Sequence, residues 1–202
     1  MATTPNGTIT QASAADAEAV TSILAEAFMQ DPVSGWIFPD EAERRRYHRD
    51  FFAPFVKLAL EGGHIDVFGD NMGAALWLPV DGAEHAEGED DAVLTALAET
   101  IPGDPLKRFE ALGEKMDAAH PQDPHAYLPF IGVDPRYHGQ GVGGALIRYQ
   151  LAELDKSGRA AYLEASCLRN AALYERLGFR PINEPITPAD GPSLYPMWRD
   201  PA

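Results

Sequence analysis

Apolar residues recur at helical spacing near the start of the chain. Val20, Ile23, Leu24, Ala27 and Phe28 predict a helix running to about Met29, with Ser13 as its cap. Thr8 to Gln11 reads as a short strand before it. The stretch DPVSGWIFPD (31–40) holds two prolines and a glycine and reads as a loop, although it carries Trp36, Ile37 and Phe38. A second helix, Glu41 to about Leu60, opens on acidic residues and stops at Gly62-Gly63, and Pro54 predicts a kink or split within it. In GHIDVFGDNMGAALWLPV (63–80) two β-rich runs joined at Gly69-Asp70-Asn71 predict a hairpin closed by Pro79. Residues 81–91 read as an acidic linker, and 92–119 as helical segments broken at Pro102-Gly103. AYLPFIGV (126–133) is an apolar strand whose Pro129 predicts a bulged or broken ladder. After a glycine-rich loop come a helix to about Ser157, strand Ala161–Ala165, helix Ala171–Leu177 stopped by Gly178, a strand from Phe179 to about Asn183, and a last strand, Ser193–Trp198. This alternation predicts an α/β or α+β fold with a mixed sheet flanked by helices.

Composition narrows the class. The chain has 202 residues, enough for one domain over 1–202, and 45% apolar and 23% charged residues suit a globular protein. A net charge of −15 argues against nucleic acid and anionic membranes as partners; it suits a cationic small molecule, or serves solubility. Cys167 is the single cysteine, which rules out an internal disulfide and a cysteine-rich zinc site. No metal is expected. Residues 1–13 lack signal-peptide character and no apolar run spans a bilayer, so a cytoplasmic protein, monomer or homodimer, is expected.

Gly139, Gly141 and Gly144 satisfy GxGxxG within YHGQGVGGALI (137–147). A strand, a glycine loop and a helix start together make an anion site, and Glu164 falls where a ribose-binding acid would sit in a dinucleotide fold. Three features reject that reading. Asp134 to His138 separate the strand from the first glycine; too little chain follows Ala126 for a doubly wound sheet; and Cys167–Leu177 continues without a long crossover.

VDPxxxGQGVGGAL (133–146) followed by LEASxxxNxxLYERLGF (163–179) instead resembles the GNAT acetyltransferase superfamily. With the flanking AFMQDPVSGWIFPD and EPITPADGPSLYPMWR, the layout is similar to puromycin N-acetyltransferase and its actinobacterial relatives. The resemblance implies one domain with splayed central strands and acetyl-CoA bound between them, residues 1–125 facing mainly the acceptor and 126–202 the co-substrate. It implies that His138, Gly139, Gln140, Gly141, Val142, Gly143 and Gly144 hold the pyrophosphate. The strand Ile131–Gly132–Val133 would pair with the pantetheine arm, and Asn170 would bond that arm, besides capping a helix at Ala171. Tyr174, otherwise a core residue by its spacing from Leu177, becomes the candidate general acid. His138 stands where the family usually has Arg or Gln; Arg136 and Arg148 are cations that could compensate.

Acetyl transfer to an amine also needs a route for the amine's proton. Glu164 shares a strand face with Tyr162 and Ser166 and is a candidate base; His120, His125, Tyr127 or a water chain are alternatives. An acetyl-cysteine at Cys167 lacks a neighbouring base, and direct attack is expected. Trp36 and Phe38, with the segment from Glu184 to Tyr195, are the candidate acceptor walls. The leading expectation is an N-acetyltransferase acting on a small-molecule amine, antibiotic-like or metabolic. A protein or peptide amine acetyltransferase and a non-catalytic acyl-CoA-binding regulatory module are the alternatives.

Overall fold

The computed structural model describes residues 7–82 and 89–202. Seven strands form one sheet: β1 (Ile9–Gln11), β2 (His64–Phe68), β3 (Gly73–Val80), β4 (His125–Val133), β5 (Ala160–Ala165), β6 (Arg180–Pro181) and β7 (Tyr195–Arg199). Their order is β1-β2-β3-β4-β5-β7-β6, and every neighbouring pair is antiparallel except β4 with β5. The helices are α1 (Ala17–Ala27), α2 (Pro32–Ile37), α3 (Glu41–Gly62), α4 (Glu89–Thr100), α5 (Asp104–Ala119), α6 (Val142–Ser157) and α7 (Leu168–Glu175). The mixed sheet flanked by helices matches the expectation.

Each sheet face carries its own core, as strand alternation requires. Leu76 and Ala74 of β3 point toward α1, α3 and α4, where Leu24, Phe52, Val56 and Leu97 are buried. Ala75 and Trp77 point to the other face, against Val142, Leu146, Ile147 and Leu151 of α6. His48 of α3 ties the first three helices together. Its Nδ1–H donates to the Ala25 carbonyl at 2.8 Å, which leaves Nε2 to accept from the Ser34 hydroxyl at 2.6 Å.

Several expectations are corrected. The loop read at 31–40 contains α2, because Asp31 accepts from the Val33 and Ser34 amides and Pro32 occupies the first helical position. Pro54 does not split α3: Asp50, whose carbonyl loses the donor that Pro54 lacks, is an exposed residue, while Phe51, Phe52 and Val56 anchor the buried side. Pro79 lies inside β3, paired with Ala126, rather than closing it. The strand expected from Phe179 to Asn183 is reduced to Arg180–Pro181. Residues 83–88 of the expected acidic linker fall outside the described residues, and Glu89 already begins α4. Among the described residues no helix is long and apolar enough to cross a membrane.

Candidate active site

The sheet opens where β4 leaves β5. The two pair only through His125, Ala126 and Tyr127 opposite Ala160, Ala161 and Tyr162. Pro129 then removes a donor from β4, and the register against β3 shifts between Leu76 and Leu78. Beyond this point Ile131, Gly132 and Val133 have no β5 partner and line a cleft of about 920 Å³. Their free edge can add an extended ligand as a further strand. Gly132 also lets α1 sit directly on β4, because a Cβ there would meet Leu24 and Ala27 at 3.0 Å.

At one end of the cleft the chain offers backbone donors. Gly139 and Gly141 hold φ of 74° and 83°, a region that suits glycine. Gly141 is the N-cap of α6 and no side chain caps the helix. The first amide to reach back is Ala145, bonded to the Gly141 carbonyl at 2.9 Å. Among the described residues, the N–H groups of Val142, Gly143 and Gly144 therefore have no backbone acceptor, and they sit at the positive end of a 16-residue helix. Among the described residues, nothing beyond its chain neighbours lies within 4 Å of where a Gly139 Cβ would be. A diphosphate fits this cradle.

The side chains around it include props and one cation on the cleft wall. His138 donates Nε2–H to the Val133 carbonyl at 2.9 Å, so its ring braces the end of β4. The Gln140 amide bonds the Arg136 carbonyl at 3.1 Å and holds the turn. The Val142 side chain is buried in the core, leaving its amide as its contribution to the cradle. Arg136 is engaged by Asp134 at 2.6 Å, whereas Arg148 lies over Gly144 on the cleft wall. Of the two cations considered as compensation for His138, Arg148 is the one in place.

Further along the cleft, Asn170 is the third residue of α7 and not its cap; Cys167 holds the N-cap position. The helix begins earlier than expected because Asn170 and Ala171 amides already bond the Cys167 carbonyl. The Asn170 amide instead donates to the Ser166 hydroxyl at 3.3 Å. Tyr174 is buried against Phe179 and also lines the cleft. Burial, then the nearby Cys167 and Asp31, hold its phenol well above the usual tyrosine range, so it stays protonated. Asp31 was missed by the sequence reading. Besides capping α2 it reaches the cleft, where burial raises its carboxyl while the Ser166 hydroxyl and the Ser34 and Val33 amides pull the other way. The Asp-Pro pair marked the start of a helix, and that was the available signal.

Glu164 sits on β5 with its side chain 3% exposed. Its Oε2 accepts the Tyr127 hydroxyl at 2.8 Å, and its Oε1 has no hydrogen-bond partner among the described residues. Burial pushes its carboxyl up to about 7; the Tyr127 and Tyr162 hydroxyls pull down and Asp117 adds to the rise. The structure thus brings Glu164 together with His120, His125 and Tyr127, the alternatives named from sequence.

Trp36 and Phe38, the candidate acceptor walls, do not line this cleft. Phe38, which follows α2, is fully buried in the core, and Trp36 of α2 packs against Gly191 and Arg108. The cleft's aromatic wall comes from Phe28, Phe51, Phe52, Phe55, Phe109 and Phe130, which pack tilted or edge to face, with centroids 5.3 Å apart for Phe52–Phe130 and 4.9 Å for Phe55–Phe130.

Comparison with known proteins agrees with this geometry. Residues 110–181 match the acetyltransferase (GNAT) domain family. An uncharacterized N-acetyltransferase of Schizosaccharomyces pombe is 28% identical over 176 residues, covering 82% of this chain and 71% of that protein. The crystal structure described as histone acetyltransferase HPA2 and related acetyltransferase from Corynebacterium glutamicum is 27% identical and superposes with a TM-score of 0.67, covering 97% of each chain. Arylalkylamine N-acetyltransferase 2 from Aedes aegypti shares the fold with a TM-score of 0.66 at 16% identity, covering 98% of this chain and 100% of that one. The chain carries a GNAT acetyltransferase domain. The match and these likenesses support an acetyl-CoA-dependent acyltransferase.

Proposed function

We propose that this protein is a cytoplasmic N-acetyltransferase that moves the acetyl group of acetyl-CoA directly to a small primary amine with an apolar, partly aromatic body. The observation that carries the reading is the shape of the cleft. The same cleft is lined by a glycine cradle of free amides, by six phenylalanines and by the carboxyls of Asp31 and Glu164. The Gly139–Gly144 loop and Arg148 suit the diphosphate, and the free edge of Ile131–Val133 suits the pantetheine amides. When bound, acetyl-CoA supplies the activated acetyl group and leaves as a thiol.

The protein's own groups then have defined tasks. The negative charge of Asp31 and Glu164 draws in an ammonium, and the phenylalanine rings favour it further through their π faces. Asp31 is committed to the amides of Val33 and Ser34, so Glu164, with an open Oε1, takes the amine's proton. A carboxyl held near 7 is matched to this task at neutral pH. An amide of β4 polarises the acyl carbonyl. Tyr174, protonated and beside Asn170, donates to the departing sulfur. Antibiotic-like amines and metabolic arylalkylamines both belong to the acceptor class.

A spectrophotometric assay of thiol release from acetyl-CoA, run over a panel of amines, tests the reading. Phenethylamine-type acceptors should give the highest kcat/KM, short diamines lower values, and a lysine-containing peptide the lowest. A preference for the peptide would replace this reading with protein acetylation. Binding of acetyl-CoA without turnover of any amine would favour a regulatory module.

A further inference from the structure

Acetyl transfer as described leaves two histidines near Glu164, His125 buried and His120 half-buried, without a task. His120, at the C-terminal end of α5, and His125, at the start of β4, face each other with their Nε2 atoms 3.1 Å apart. The hydrogen bonds fix both tautomers. His125 Nδ1 lies 2.7 Å from the Asp123 carbonyl, which can only accept, so Nδ1 carries the proton and His125 Nε2 is bare. The proton between the rings must then belong to His120 Nε2. Neutral His120 is left with a bare Nδ1, and that atom lies 3.9 Å from Glu164 Oε1.

Two lone pairs facing each other across 3.9 Å are a place for one proton. Solvent access decides which way it travels: the Glu164 side chain is 3% exposed and that of His120 20%. Tyr127 and Tyr162 pack edge-on to the His120 ring and hold it in this orientation, with ring centroids 4.8 and 4.7 Å away.

We propose that His120 is the second station of the proton path. Its bare Nδ1, positioned by His125, takes the proton that Glu164 has accepted from the amine and releases it to solvent. The proposal rests on Glu164 being the base. In the first step an amine N–H bond breaks as Glu164 Oε1–H forms. In the second, that bond breaks as His120 Nδ1–H forms after a small rotation of Glu164, giving an imidazolium and restoring the carboxylate. The imidazolium then loses the proton to water, and both groups are as they began.

The surrounding charges make His120 a transit point rather than a resting place. Burial and His125 hold its imidazolium down at about 4, against about 7 for Glu164. Asp117 of α5 faces the same cluster, and Arg159 disfavours a charge on His125. The uphill step costs a factor of about 10³, small beside the ~10¹³ per second attempt frequency set against a turnover of ~10 per second.

Two measurements test this. Nitrogen-15 NMR of the unliganded protein should show His120 neutral and protonated on Nε2 between pH 6 and 8; an Nδ1–H tautomer or an imidazolium at pH 7 would overturn the proposal. His120→Ala, and His120→Gln as a conservative second variant, should lower kcat about tenfold or more at pH 7. KM for acetyl-CoA should hold, and added imidazole should restore kcat in the alanine variant. Undiminished kcat, or a loss that imidazole does not restore, overturns the relay. Glu164→Gln separates this from the parent reading: slow Glu164→Gln beside fast His120→Ala rejects the relay alone, whereas fast Glu164→Gln rejects Glu164 as the base as well.

Discussion

At the α6 end of the cleft the groups on offer are amides of one short run, Gly139 to Gly144; around Glu164 they are side chains gathered from β4, β5 and the end of α5. The first end depends on backbone conformation. Positive φ at Gly139 and Gly141 turns the donors outward, and the helix behind them supplies the field. The second depends on burial. Glu164 carries an altered proton affinity because β4, β5 and the end of α5 close around it and exclude water. An anion site needs donors aimed at a point, which a few consecutive residues can provide. A tuned acid–base group needs a dry enclosure, which takes distant segments.

The two ends should therefore fail in different ways, and Gly141→Asp should show the largest effect. It sets a side chain at φ 83° and a negative charge against the cradle, and acetyl-CoA affinity should fall about a thousandfold. Calorimetry measures this, with circular dichroism confirming the fold. Unchanged affinity in a folded variant would remove the loop from the site.

Glu164→Gln should leave acetyl-CoA affinity intact and lower kcat by ~10²-fold or more. In the wild type, kcat/KM should rise with pH up to about 7 and level off above it, because only the ionised carboxylate accepts a proton. Stability runs the other way. The folded state holds this proton more tightly than the unfolded chain does, so the stabilisation is complete below about 4.5 and lost as pH rises through about 7. Glu164→Gln should thus raise stability at pH 8 by on the order of 3 kcal/mol and leave it unchanged near pH 4.5. Denaturant unfolding at the two pH values checks this; equal effects at both would mean that the carboxyl is not raised.

Tyr174 stands at the junction, with one face in the α6–α7 core and one on the cleft. Because a thiol is already a fair leaving group, Tyr174→Phe should lower kcat by only ~10- to 100-fold, with KM for acetyl-CoA nearly unchanged. A kcat within a fewfold of wild type would leave Tyr174 as core alone.

Cys167 should show the smallest effect. It holds the N-cap position of α7 without a side-chain capping bond and is only partly buried. Cys167→Ala should keep kcat within about twofold, since a small half-exposed thiol contributes little packing. Mass spectrometry after incubation with acetyl-CoA alone should find no acetyl group on Cys167, and an adduct turning over at the catalytic rate would replace direct attack.

The contrast also explains what could be read in advance. The β2–β3 hairpin and the break before α5 carried local turn signals, and Pro129 marked the disturbance in β4. The cradle was legible because its glycines, the preceding strand and the following helix are consecutive. Local signals misled where tertiary packing competed with them. Pro54 reads as a helix breaker, yet phenylalanines on both sides bury into one core; Trp36 and Phe38 read as cleft walls, yet Phe38 is buried in the core and Trp36 packs against Gly191 and Arg108.

The sequence by itself determined the sheet-and-helix alternation, the anion cradle and the class of chemistry, since each follows from residues close along the chain. The tertiary structure alone decided which carboxylate is dry enough to have a raised proton affinity, which aromatics line the cleft, and which nitrogen of His120 is bare. Those properties depend on burial and on hydrogen bonds between residues as far apart as Tyr127 and Glu164, and no local pattern encodes the enclosure that sets them.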